Sequence, residues 1–237
     1  MILDNLREIS LRIGTAARRA GRDPGSVRLA VVTKYASLDE TRELLTSGLV
    51  QEIGESRVQD AGRKRESLGE LAGKVRWRMV GHLQTNKAKV ALRIFDTVDS
   101  LDSLRLAGAL DETLAAEGRT LEVLVQVKVT RKESQHGIAP EDLGPFLKEL
   151  RTFQRLSARG LMTIAPELEP VEEVRPFFRR ARELFDGSFS GVPGAVLSMG
   201  MSRDFEIAVE EGATLVRIGS SVFGRHVPAC RGIRIWE

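Results

Sequence analysis

The chain has 237 residues, a formal net charge of +3 and 29% charged residues, with lysines and arginines spread among the acids. That balance gives little ground for a nucleic-acid partner, and the densest basic run, Arg63–Lys64–Arg65, is followed by Glu66 and reads as a solvated helix face. A single cysteine, Cys230, excludes an internal disulfide and a cysteine-rich metal site, and no apolar run approaches the ~20 residues of a membrane span.

The N-terminus carries Asp4 and Glu8 and no apolar h-region, so no secretory signal is expected and the reading is of a cytoplasmic protein. Ile2, Leu6, Ile9 and Ile13 recur at helical spacing, and Gly21 stops that first helix. From there strands and helices alternate. The strand-like runs are Leu29–Thr33, Val50–Gly54, Trp77–Val80, Ile94–Val98, Leu121–Val129, Ala158–Met162, Ala195–Met199 and Leu215–Ile218. Helical patterns such as Leu101–Glu117 and Arg203–Glu211 fill the gaps, and Pro176 must lie in the first turn of its helix or kink it. Strands separated by helices in this way predict an α/β fold: a single-domain (β/α)8 TIM-type barrel with an extra N-terminal helix. An open doubly wound sheet competes, but no GxGxxG follows the first strand.

The segment from Leu197 to Gly224 reads as strand, Gly/Ser turn, short helix, strand, Gly/Ser turn. Two adjacent strands that each end in small residues offer backbone N–H groups and hydroxyls. The turns after the last strands of such a barrel are a frequent place to grip a phosphate. Arg217, two residues before Gly219, shares the strand with the second turn, which suggests a phosphorylated cofactor. At the other end of the chain, AVVTK closes the first strand on Lys34. Strand alternation puts Ala30, Val32 and Lys34 on one face, and Leu215 and Arg217 on one face of the last strand. If both faces point inward, Lys34 and Arg217 meet at the C-terminal mouth. A neighbouring arginine and partial burial would disfavour the ammonium and free the amine to condense with an aldehyde. The competing reading makes Lys34 one of many strand-end lysines in solvent.

In these and further motifs the chain resembles the pyridoxal phosphate homeostasis proteins, single-domain barrels similar to the N-terminal domain of bacterial alanine racemases. The motifs are AVVTK (30–34), GESRVQD (54–60), WRMVGHLQTNK (77–87), VDS (98–100), LVQVK…ES…G (124–137), GLMTIAP (160–166), LSMGMSRD (197–204) and VRIGSSVFG (216–224). The resemblance implies pyridoxal 5′-phosphate (PLP) held as a covalent aldimine to Lys34. It implies that Ser202, with Ser198 and Met201 nearby, and Gly219 with Ser220 bind the phosphate, and that Arg217 stands at the pyridine nitrogen. Ser56, His82 and Met162 complete the implied cofactor-binding set, and no catalytic residue is assigned. An arginine at the ring nitrogen leaves it unprotonated and the ring a weak electron sink.

The chain departs from the family pattern at Ser56 (usually Asn), Arg78 (His), Lys128 (Asn) and Gln135 (Lys). Ser56 could keep one hydrogen bond to the cofactor ring but not both functions of an amide. Lys128 shares a face with Gln126 and Thr130 and would place a second amine inside the barrel. Asp204 is expected to cap a helix start and position the preceding turn. His82 has a competing reading as a loop residue that caps the next helix. His136 and His226 are spaced too irregularly to join it in a metal site, so no metal is expected. Tyr35, the single tyrosine, adjoins Lys34 on the opposite side of the strand. Racemases of the resembling class need a catalytic tyrosine from a second domain. This chain ends soon after Gly224, with GIRIWE as a possible closing strand. The expectation is a non-catalytic PLP-binding protein of intracellular vitamin B6 homeostasis. It would store the cofactor or deliver it to apo PLP-dependent enzymes, as a monomer or weak dimer, with no nucleic-acid or membrane partner. The alternatives are a PLP-dependent racemase or decarboxylase with Lys34 as base, and a barrel that handles phosphosugars or nucleotides without lysine chemistry.

Overall fold

A computed structural model describes residues 1–130 and 135–225. Eight parallel strands close into a barrel in sequence order: β1 (Arg28–Val32), β2 (Glu52–Glu55), β3 (Arg76–Met79), β4 (Thr97–Leu101), β5 (Leu121–Gln126), β6 (Leu156–Met162), β7 (Val196–Ser198) and β8 (Leu215–Ile218). Each falls in the predicted order, with most ends within two residues of the prediction and both ends of β4 and the C-terminal end of β5 shifted by three. Ile94 and Phe95 bond back to the Ala91 carbonyl and bury in the core, so β4 starts only at Thr97. β5 stops at Gln126, short of the Val129 expected from the valine alternation.

The helices are α1 (Ile2–Arg19), α2 (Leu38–Thr46), α3 (Val58–Leu68), α4 (Ala88–Ala91), α5 (Leu104–Glu117), α6 (Leu143–Leu150), α7 (Arg175–Phe189) and α8 (Phe205–Glu210). α2 to α8 follow β1 to β7, and among the described residues no helix follows β8. The N-terminal helix takes that place in the ring, packed against both α8 and α2. Its Ile2, Leu6, Ile9 and Ile13 are all buried, as their spacing predicts. Arg12 and Arg19 of α1 pair with Glu206, and Arg19 also with Glu210, while Arg175 of α7 reaches Glu210 and Glu211. Pro176 sits in the first turn of α7, where its missing N–H has no helical partner to lose. None of the described helices is long and apolar enough to cross a membrane.

The core has two layers, as strand alternation requires. Val31, Ile53, Trp77, Val98, Val123, Leu161, Leu197 and Val216 belong to the layer packed under the helices. Ala30, Leu124, Met162, Val196 and Leu215 form a second cluster inside the barrel. The interior also holds a charged cluster that is internally paired. Arg78 donates to both oxygens of Asp99, at 2.7 and 2.9 Å, and to Glu52 at 2.5 Å. Glu52 also pairs with Arg28 at 2.8 Å. Burial works against the Arg78 charge, but Asp99 and Glu52 outweigh it and its pKa is raised. Such a cluster adds little net stability but is costly to break.

Candidate functional site

The register of the last strands gathers the floor of the barrel mouth. β8 pairs Arg217 with Ala30 of β1, and Met162 of β6 stands opposite Ser198 of β7. Arg217 is 4% exposed; it donates to Ser198 Oγ and to the Thr163 carbonyl, each at 2.8 Å. Burial pulls its pKa down to about 10, against the pull of Asp99 and Asp204, so it remains cationic at neutral pH. The predicted Met162, Ser198 and Arg217 therefore meet. Thr163 was not legible, because its contribution is a backbone carbonyl that any residue could supply.

Above this floor lie the two Gly/Ser turns. The Arg217 N–H donates to the Gly200 carbonyl at 3.0 Å, and the Ser221 N–H donates to Ser202 Oγ at 3.4 Å, which joins one turn to the other. Asp204 does position its turn: a carboxylate oxygen accepts from the Met201 N–H at 2.6 Å. It makes no side-chain cap bond to α8, which corrects that half of the expectation, because the carboxylate is turned back onto the loop. Burial raises the Asp204 pKa, opposed by the Met201 N–H and by Arg217. Met201, Ser202, Gly219 and Ser220 are half-buried, so the mouth offers hydroxyls and N–H groups while the Asp204 carboxylate is engaged by the Met201 N–H.

Lys34 arrives by a different route from the one expected. β1 ends at Val32, and the Ala36 N–H closes a turn on the Thr33 carbonyl at 2.9 Å, with Lys34 and Tyr35 at its centre. Both are exposed, and Lys34 Nζ lies 5.0 Å from the Tyr35 ring centroid. The strand pleat stops before Lys34. Two expectations are thereby corrected: Lys34 is not partly buried, and Tyr35 is on its side rather than opposite. The turn itself is braced. Thr33 Oγ1 donates to Glu55 at 2.6 Å, Lys64 Nζ donates to Glu55 and to the Thr33 carbonyl at 2.6 Å, and Arg225 donates to the Tyr35 carbonyl. Lys64 is thus no solvated-face residue; α3 carries it back over β2 onto a buried carboxylate, whereas Arg63 is exposed.

The remaining predicted residues occupy the loops after β2 to β5. Ser56 is half-buried and backs onto Gly81 so closely that a Cβ there would stand 2.4 Å from the Ser56 carbonyl oxygen. His82 is exposed, hydrogen-bonds Asp102 at 3.0 Å and stacks on His136 with ring centroids 3.8 Å apart. The inference that irregular spacing keeps these histidines apart is corrected: barrel loops far apart in sequence converge at one mouth. Lys128, beyond the end of β5, lines an outer groove with Leu104 and Phe146 rather than continuing the inward face of Gln126. Gln135 donates to the Ile164 carbonyl at 2.7 Å. His226, Cys230, the GIRIWE segment and the Ser134 of the fifth motif lie outside the described residues.

A closed parallel barrel with a cationic floor and two Gly/Ser turns defines a class. Residues 5–227 match the family model of the alanine racemase N-terminal domain. An alanine racemase of Clostridium difficile has the same fold at a TM-score of 0.74 and 16% identity, covering 96% of this chain and 58% of that one. At higher identity the relatives narrow. A pyridoxal phosphate homeostasis protein of Aquifex aeolicus is 38% identical over 93% of this chain and 96% of its own length, and one of Pseudomonas aeruginosa is 37% identical over 94% and 95%. The structure of PipY from Synechococcus elongatus with PLP bound superposes at a TM-score of 0.80 with 34% identity, covering 94% of this chain and all of that one. The chain belongs to the pyridoxal phosphate homeostasis protein family.

Proposed function

We propose that this chain binds PLP at the barrel mouth and serves vitamin B6 homeostasis by holding and handing on the cofactor, without turnover of its own. The observation that carries the reading is the junction of the braced Lys34 turn, the two Gly/Ser turns and the buried Arg217, in a relative of a protein solved with PLP. The donor set fits the group. Ser202, Gly219 and Ser220 offer uncharged donors suited to a phosphate dianion, and the Asp204 carboxylate that would repel it is held by the Met201 N–H.

The roles divide by element. Lys34 supplies the amine that anchors the cofactor covalently. Ser202, the Gly219 N–H and Ser220 take the phosphate, with Ser198 and Met201 beside them. Met162 closes the floor, and Ser56 and His82 stand at the far rim. Bound PLP supplies an aldehyde and an electron-withdrawing ring. Arg217 at the ring nitrogen donates a hydrogen bond without giving up its proton, which keeps that withdrawal weak. Two-base racemisation needs an acid/base group on each face of the substrate carbon. Tyr35, the chain's single tyrosine, lies against Lys34 itself and so offers no second face. An exposed Lys34 keeps the anchor open to exchange, which suits delivery to apo PLP-dependent enzymes by a cytoplasmic monomer or weak dimer.

The test uses the purified full chain saturated with PLP. Borohydride reduction followed by peptide mapping should place the label on Lys34, and Lys34→Ala should lose the visible absorption and stay folded. The loaded protein should restore an apo-enzyme and leave L-alanine unconverted above the rate of free PLP. Label on Lys128 or Lys87 would overturn the anchor; turnover that disappears in Lys34→Ala would overturn the non-catalytic role.

A further inference from the structure

The loops after β3, β4 and β5 bring together three groups that the cofactor reading does not use as a set. His82 Nδ1 stands 3.0 Å from Asp102 Oδ2, and His136 Nδ1 stands 3.8 Å from the same oxygen. The ligand atoms of the three side chains all lie within 4.8 Å of one another. We propose that His82, Asp102 and His136 form a binding site for a divalent late-transition cation of the zinc type.

The donor set and its dimensions support this. Two imidazoles and one carboxylate are borderline ligands that suit zinc, cobalt, nickel or copper and not magnesium or calcium. Tetrahedral bonds of roughly 2.0–2.1 Å put ligand atoms about 3.3 Å apart. The observed 3.0 and 3.8 Å from each Nδ1 to the Asp102 oxygen straddle that value, and the whole set lies within 4.8 Å. The imidazole rings are stacked, 11° from parallel with centroids 3.8 Å apart, so a shared ion requires at least one ring to rotate until both in-plane lone pairs converge on it.

The backbones are held as a site requires. Ser100 Oγ donates to the Gly81 carbonyl beside His82 at 2.6 Å, and Gln126 Nε2 donates to the His136 carbonyl at 2.9 Å. Asp102 follows the last residue of β4 directly and is only 9% exposed, whereas His82 and His136 are 40% and 56% exposed. A cation there would be fixed from below by the carboxylate and keep one coordination position open to water or a small ligand. The site shares His82 with the cofactor reading, but Asp102 and His136 belong to no part of it, so substitutions at those two test the cation site alone.

The test is calorimetric titration of Zn2+ into the full chain, with Co2+ absorption as a second readout. Saturable binding of one ion is expected, with visible Co2+ bands. Loss even of groups that merely orient a ligand lowers metal affinity 10–100-fold, so His136→Ala and Asp102→Asn should each weaken binding by about tenfold or more. His136 is largely exposed, so its removal leaves the fold intact. PLP binding by both variants should be unchanged, which separates failure of this site from failure of the cofactor reading. Absence of saturable binding, or equal Zn2+ affinity in wild type and both variants, would overturn the assignment.

Discussion

Gly219 and Val32 touch across the seam where the barrel closes: a Cβ on Gly219 would lie 2.7 Å from the Val32 carbonyl oxygen. Two residues beyond Val32 stands Lys34, and two residues before Gly219 stands Arg217. This contact therefore sets the spacing between the amine turn, the phosphate turn and the buried guanidinium. Gly219→Ala forces backbone apart, at a cost of about 1–3 kcal/mol. The barrel should still fold by circular dichroism, while PLP affinity falls about tenfold or more. Unchanged affinity on titration would mean the two turns are not coupled.

Ser202 bridges the two turns through the Ser221 N–H, and its hydroxyl is the natural donor to a phosphate. A hydrogen bond to a charged group contributes roughly 1.5–3 kcal/mol. Ser202→Ala should thus weaken PLP binding by about tenfold or more, and Ser202→Thr should recover part of it. Equal affinities across the three proteins would remove Ser202 from the phosphate site.

Arg78 neutralises Asp99 and Glu52 inside the barrel. Arg78→Met leaves both carboxylates buried without that partner and should lower stability by about 3–5 kcal/mol in urea melts. The triple change Arg78→Met, Asp99→Leu and Glu52→Met removes the charges as a set and should recover most of the loss. A single substitution without effect would show that water enters the barrel and solvates the acids.

Acid should loosen the seam of α1, α7 and α8. Burial tends to raise the pKa values of Glu206, Glu210 and Glu211, but the hydrogen bonds from Arg19, Arg12, Arg175 and Arg179 outweigh it, and all three fall below the ordinary 4.5. A pKa lower in the folded than in the unfolded state gives stability that is full above 4.5 and is lost as the pH drops through the folded values. The urea midpoint should therefore decline below about pH 4.5, modestly and less so at high salt, because the groups are partly exposed. Arg175→Ala should flatten that decline. A wild-type midpoint independent of pH in this window would show the network to be idle.

The barrel was legible because its evidence is local. Period-2 runs such as Leu215–Ile218 and period-3.6 runs such as Ile2 to Ile13 alternate along the chain, and each states its own buried face. Arg217 was found the same way: strand parity carries it inward with Leu215. Lys34 obeyed that logic only until the strand ended. At Val32 the pleat gives way to a turn, and a turn has no period to extrapolate, so its exposure and its stacking on Tyr35 were out of reach.

What the sequence determined by itself is the order of strands and helices, the anchor lysine as a candidate, the two Gly/Ser turns and the family they mark. Each rests on residues within a few positions of one another. Only the tertiary structure decided which distant residues became neighbours. It set α1 in the eighth place of the helix ring, drew Lys64 onto Glu55, and stacked His82 on His136 over one aspartate. Barrel closure fixes those pairings through strand register, a long-range condition that no local pattern of charge or hydrophobicity encodes.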